Sequence, residues 1–215
     1  MKTSLLYLLL ISFSGCVSLD TIQTGRTLGK DKMSLSGSLS HGLSEDIGYF
    51  SLFENGSYFF GQTRYMYGVG EKLDLGATVN MASFVIINSK YQVTGTKNSA
   101  FASSIGLDVG ATPVTLLHAL TLGYMASVRS YNTFFIGEKL GLTISPAYVF
   151  LGNSQFSDGY GGSYTNLNNY LGYSVNAFYG DKEKLFIEVS NFETINNFNF
   201  SVKPTISIGY CINLN

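Results

Sequence analysis

The chain has 215 residues, enough for one domain, and its 13% charged residues are too few to wet the outside of a soluble β-protein rich in Gly, Tyr and Phe. A net charge of −1 excludes a broad electrostatic surface for nucleic acid. After the first eleven residues no run of eighteen apolar residues occurs, so no helical membrane span is expected.

Residues 1–16 read as an export signal: Lys2, an apolar run over 5–11, then small residues. The last four, Phe13-Ser14-Gly15-Cys16, resemble the lipobox of bacterial lipoproteins, and that resemblance implies lipid attachment at Cys16. The alternative is an ordinary secretory signal with an incidental cysteine. Cys211 is the only other cysteine, so no disulfide framework is expected. Residues 17–30, polar and carrying Gly25 and Gly29, are expected to be a periplasmic linker to a folded body over 31–215.

From residue 33 onward, large apolar and small polar residues alternate, the period of a strand whose successive side chains point to opposite faces. Met33, Leu35 and Leu39 alternate with Ser34, Ser36, Ser38 and Ser40. Phe59, Tyr65, Tyr67 and Val69 oppose Gln62 and Arg64, and Leu73, Leu75, Ala77 and Val79 oppose Asp74, Gly76, Thr78 and Asn80. Val85, Ile87, Tyr91 and Val93 oppose Asn88, Lys90 and Gln92; Ile105, Leu107 and Val109 oppose Ser104, Gly106 and Asp108. Leu120, Leu122, Tyr124 and Val128 form the oily face of a sixth strand, and a turn is expected near 129–137. Leu142, Ile144 and Tyr148, then Leu171, Tyr173 and Val175, then Leu185, Ile187 and Val189 continue the pattern. The last strand, expected over 198–214, sets Phe198, Ile206, Ile208, Tyr210 and Ile212 against Ser201, Lys203, Ser207, Gly209 and Cys211.

Ten strands place the short connections at 70–72, 96–98 and 181–184 on one side, with longer loops at 42–57 and 152–168 on the other. The fold predicted is therefore all-β: a closed antiparallel up-and-down transmembrane β-barrel of about ten strands, with short periplasmic turns. A small-polar face suits a narrow lumen, and a Leu/Ile/Phe/Tyr face suits lipid; a soluble barrel with the oily face inward is the alternative. Tyr65, Tyr67, Tyr91, Tyr124, Tyr179 and Tyr210 are expected as an aromatic girdle near the periplasmic strand ends. Pro146 and Pro204, which cannot donate to a ladder, are expected near the outer rim.

Over residues 33–215 this pattern resembles the small bacterial outer-membrane β-barrel proteins, here with a lipoprotein-type signal peptide. The resemblance implies a bacterial outer-membrane location, contact with outer-membrane lipids, and insertion by the barrel-assembly machinery.

Six charged residues fall on the expected lumen face: Arg64, Lys90 and Lys203 against Asp74, Asp108 and Glu188. Three of each sign imply a neutral, cross-linked interior, because buried charges persist when paired. A gated ion path is the other reading of the same residues. His41 and His118 are the only histidines, and His41 cannot form a dyad with adjacent Ser40 across a regular strand. No catalytic residue, metal site or cofactor is assigned. The function expected is a non-catalytic outer-membrane lipoprotein with a structural role, or a surface-interaction role through the loops 42–57 and 152–168. A narrow channel and a lipid-modifying enzyme are the alternatives.

Overall fold

The computed structural model describes residues 22–43, 57–80, 85–96, 98–116, 119–137, 139–157, 164–195 and 204–214. The strands are β1 (Met33–Leu43), β2 (Ser57–Gly68), β3 (Leu73–Asn80), β4 (Val85–Thr94) and β5 (Phe101–Leu116). They continue as β6 (Ala119–Ile136), β7 (Leu140–Ser157), β8 (Tyr164–Gly180), β9 (Glu183–Thr194) and β10 (Thr205–Leu214). Each pairs antiparallel with its neighbours in sequence, and β1 also pairs with β10, from Met33↔Leu214 to His41↔Ile206. The sheet is thus a closed up-and-down barrel.

Alternation decides which face each residue takes, and the direction is the membrane one. Ser207 and Asp74 are fully buried inside, whereas Ile208 and Ile87 point outward with 57% and 60% of their surface exposed. Leu39, Val109, Leu171, Tyr179 and Leu185 share that outer face on other strands. In water each such side chain would forgo about 1.5–3 kcal/mol of burial. A continuous apolar belt around buried carboxylates and ammonium groups is stable only with hydrocarbon outside. The soluble alternative, oily face inward, is excluded by this orientation.

The connections 69–72, 95–100, 137–139 and 181–182 lie at one end of the barrel, the end from which β1 starts. These are short turns, and short turns are the periplasmic ones in outer-membrane barrels. At the other end β5, β6, β7 and β8 are 16, 18, 18 and 17 residues long, against about 9–11 needed for a tilted strand to cross a bilayer. The β4–β5 ladder stops at Val85↔Ala111 and the β8–β9 ladder at Tyr170↔Thr194, so residues 112–116 and 164–169 continue past their outer neighbours. Four strands therefore extend as one sheet beyond the described ends of β4 and β9.

Four expectations change. The sixth strand does not turn at 129 but runs to Ile136, with the turn at Gly137. Residues 152–157 and 164–168 are strand rather than loop, paired from Gly152↔Leu167 to Gln155↔Tyr164. Tyr124 is the sixth residue of β6 counted from its outer end, beside Gly152, away from the periplasmic ring formed by Tyr65, Tyr91, Tyr179 and Tyr210. Pro146 lies in the periplasmic half of β7, where the β6–β7 ladder lapses between Arg129↔Ala147 and Asn132↔Ile144. A residue without an N–H cannot complete the ladder there. Pro204 immediately precedes β10, and residues 198–203 lie outside the described residues.

Candidate functional site

The lumen is where this barrel concentrates its chemistry, and five of the expected charges lie in it. Arg64, Asp74, Lys90, Asp108 and Glu188 are all at least nine-tenths buried. Lys203 lies outside the described residues, as do Cys16 and His118. The buried groups are linked across strands. Arg64 Nε donates to Thr78 Oγ1 at 2.8 Å, Thr78 Oγ1 donates to Asn88 Oδ1 at 2.7 Å, and Asn88 Nδ2 donates to Asp108 Oδ1 at 2.7 Å. Ser127 Oγ donates to the other Asp108 oxygen at 3.0 Å, which also pairs with Arg129 Nε at 3.8 Å. One chain of contacts thus runs from β2 through β3, β4 and β5 to β6. Lys90 Nζ pairs with Asp74 at 3.2 Å, and Asn176 Nδ2 donates to Glu188 at 3.4 Å.

Arg129, a lumen charge, was hidden from the sequence pattern by its neighbours. Tyr131, Thr133 and Phe135 continue its face regularly, but Ser130 and Asn132 on the outer face are polar and imitate a turn. They satisfy one another locally: Asn132 Nδ2 donates to Ser130 Oγ at 3.0 Å, and Ser103 Oγ donates to Asn132 Oδ1 at 2.9 Å. With Arg129 and Arg26 added, cations outnumber carboxylates among the described lumen residues.

Arg26 belongs to the second feature that alternation could not signal. Residues 22–28, expected to lie in a linker outside the barrel, run inside it. Ile22, Gln23 and Thr24 are at least nine-tenths buried. The wall addresses their backbone. Leu28 N–H donates to both Asp74 oxygens at 3.0 and 3.1 Å, Thr27 N–H to Gln92 Oε1 at 2.8 Å, Gly25 N–H to Thr133 Oγ1 at 2.6 Å, and Ile22 N–H to Glu188 Oε2 at 3.2 Å. In the other direction Lys90 Nζ donates to the Arg26 carbonyl at 2.8 Å, and Asn176 Nδ2 to the Gln23 carbonyl at 3.2 Å. The physical reason is desolvation: a buried backbone group costs free energy until it is paired, and β3, β4, β6, β8 and β9 each supply a partner.

Side chains complete the fit. Ile22 packs with Phe178 and Phe186. It also fills the space over Gly209, where an added Cβ would meet its Cδ1 at 2.1 Å. Gly25 passes so close to the wall that a Cβ would stand 2.3 Å from the Ala102 carbonyl oxygen. The Arg26 guanidinium lies 3.4 Å over the Phe135 ring and donates to the Ser99 carbonyl. Nearer the outer end, buried Phe60, Ile86 and Met125 cluster with Leu151. From the periplasmic side the lumen is therefore layered: the inserted segment, the charge network, then an apolar layer.

Other places hold less. His41 is exposed and stacked on Phe59 with ring centroids 4.6 Å apart, while Ser40 is buried and bonded to Ser207 at 2.9 Å. The two neighbours face opposite ways and form no dyad. Among the described residues no cluster of His, Cys, Asp and Glu could hold a metal ion. A depression of about 690 Å³ lined by Gly37, Gly61, Thr63, Val79 and Ile208 opens on the apolar outer face, where hydrocarbon lies against the wall.

An even-numbered closed antiparallel barrel with an apolar belt, a tyrosine ring, short turns at one end and a polar interior is a transmembrane barrel of the bacterial outer-membrane type. No protein-family model matches the sequence, and no curated protein matches it. Among solved structures it is similar to Ail, the attachment invasion locus protein of Yersinia pestis, with 16% identity over 86% of this chain and 99% of that one, at a TM-score of 0.40. It is also similar to the outer membrane protease OmpT from Escherichia coli, with 10% identity, 91% and 98% coverage and a TM-score of 0.43. The COG4313 outer membrane channel from Pseudomonas putida F1 is 8% identical, with 92% and 100% coverage and a TM-score of 0.38. At these identities and scores no activity passes to this chain.

Proposed function

We propose that this protein is a non-catalytic outer-membrane β-barrel lipoprotein, anchored also by lipid on Cys16, that serves as a membrane-embedded platform for contacts outside the cell. The observation that carries this reading is the contrast between the two ends. The lumen is filled through three layers, so the barrel is built to stand in the membrane rather than to pass solutes. The sheet of β5–β8, 16 to 18 residues per strand, lifts its hairpins clear of the hydrocarbon. Of the expected loops 42–57 and 152–168, the flanks are strand in β1, β2, β7 and β8, and residues 44–56 and 158–163 lie outside the described residues. Outer-membrane lipids cover the belt, and the barrel-assembly machinery inserts the chain.

Planar-bilayer recording of the full chain tests the platform against the channel: no stepwise conductance is expected, and regular steps would replace this reading with a pore. Turnover of lipid A or phospholipid by the purified protein would replace it with an enzyme. For the anchor, Cys16→Ala should abolish fatty-acid labelling while leaving the barrel folded; labelling that persists removes the lipoprotein claim.

A further inference from the structure

We infer that the periplasmic half of the lumen is a peptide-binding site, for which residues 22–28 are the resident ligand. What distinguishes a site from ordinary packing is that the wall reads main chain. Two carboxylates, Asp74 and Glu188, and two neutral oxygens, on Gln92 and Thr133, accept from backbone N–H groups of the segment. Lys90 and Asn176 donate to its carbonyls. Donors to carbonyls and acceptors of N–H groups, set on five strands around a chain that bends at Gly25 and Arg26, recognise polypeptide as such. Specificity comes from two positions. Only glycine fits at 25, where the Ala102 and Tyr131 carbonyl oxygens would stand 2.3 and 2.7 Å from a Cβ, and Phe135 with the Ser99 carbonyl selects the guanidinium at 26.

The C-terminal side of the segment is tied to the periplasmic rim. Asp31 N–H donates to the Gly68 carbonyl and Gly68 N–H to the Lys32 carbonyl, both at 2.8 Å, which ties the chain to the periplasmic rim. Above it, the Asp108 network and the Phe60–Ile86–Met125 layer close the lumen independently. Withdrawal of the segment therefore leaves a cup open to the periplasm, not a pore. Gln23 Oε1, Arg26 Nε and Asn176 Oδ1 make no hydrogen bond among the described residues, so the fit holds unspent polar capacity. The ligand class is a peptide carrying Gly-Arg at a bend, which the resident segment excludes while it is seated.

The test uses the full chain and a variant lacking 22–28, both checked for heat-modifiable mobility as folded barrels in detergent. The probe is a fluorescent synthetic peptide of residues 21–30, read by anisotropy. The variant should bind it at least tenfold more tightly than the full chain does. A peptide with Gly25→Leu should lose at least tenfold, and so should the native peptide against a Lys90→Met, Glu188→Gln form of the variant. Neither chain should conduct in a bilayer, so a closed lumen and a failed peptide result can be told apart. A folded variant that binds neither peptide, or binds both alike, overturns the site.

Discussion

At the scale of single residues, Asp108 joins three strands of the lumen wall. It accepts from Asn88 and Ser127 and stands 3.8 Å from Arg129, whose Nε and Nη1 make no hydrogen bond among the described residues. Asp108→Asn keeps the size and one acceptor but removes the charge that faces a buried guanidinium. Breaking a buried pair on one side costs about 3–5 kcal/mol, because the remaining charge is uncompensated. The unfolding free energy of the folded barrel, read from urea midpoints, should fall by a corresponding amount. Asp181→Asn, in an exposed turn, should move it by no more than about 0.5 kcal/mol. Equal midpoints for the two variants would mean that Asp108 is solvated in place, and so that the lumen is wet. Glycine acts at this scale too: Gly106 has no Cβ because Tyr131 Cε2 would lie 2.7 Å from it, so a small residue on β5 makes room for a fully buried ring on β6.

Elements show what the sequence could carry and what it could not. Period-two alternation is a property of one strand, and it fixed the strand count, the inward set from Ser34 to Ser207 and the outward set from Leu35 to Tyr210. It fails where an outward residue is polar for a local reason, as Ser130 and Asn132 are, and that shortened β6 and hid Arg129. Gly, Ser, Asn and Tyr over 152–168 have the composition of a loop, yet cross-strand pairing holds both flanks in β7 and β8. Nothing in residues 22–28 alternates, because a chain that bends at Gly25 and Arg26 within the lumen is not a strand with two faces. Its place inside depends on partners more than a hundred residues away, such as Glu188 and Thr133. The sidedness of the elements gives a prediction. An epitope inserted between Ser157 and Tyr164 should bind antibody on intact cells, and one inserted between Gly70 and Glu71 only after permeabilisation. The reverse pattern would invert the barrel in the membrane and place the raised β5–β8 sheet in the periplasm.

For the whole molecule, the question is which solvent meets the outer face, and one pair of neighbours in β10 answers it. Ser207 is fully buried in the lumen against Ser40, while adjacent Ile208 points out with 57% of its surface exposed. Arginine on a lipid face costs about 2–4 kcal/mol near the bilayer midplane, falling toward the interfaces. Ile206→Arg should therefore impair assembly, but a soluble core would suffer as well, so that variant alone does not discriminate. A thiol does. In a Cys16→Ala, Cys211→Ala background, Ile208→Cys should react in intact membranes with a probe confined to hydrocarbon. Ser207→Cys should stay unreactive toward the same probe until the barrel is unfolded. The unboiled protein should migrate differently from the boiled protein in both variants, which establishes that a closed barrel is present when the label is read. If the Ile208→Cys thiol is protected in the folded protein and the Ser207→Cys thiol reacts, the faces are exchanged. The apolar belt would then be a core, and the transmembrane assignment would fall with it.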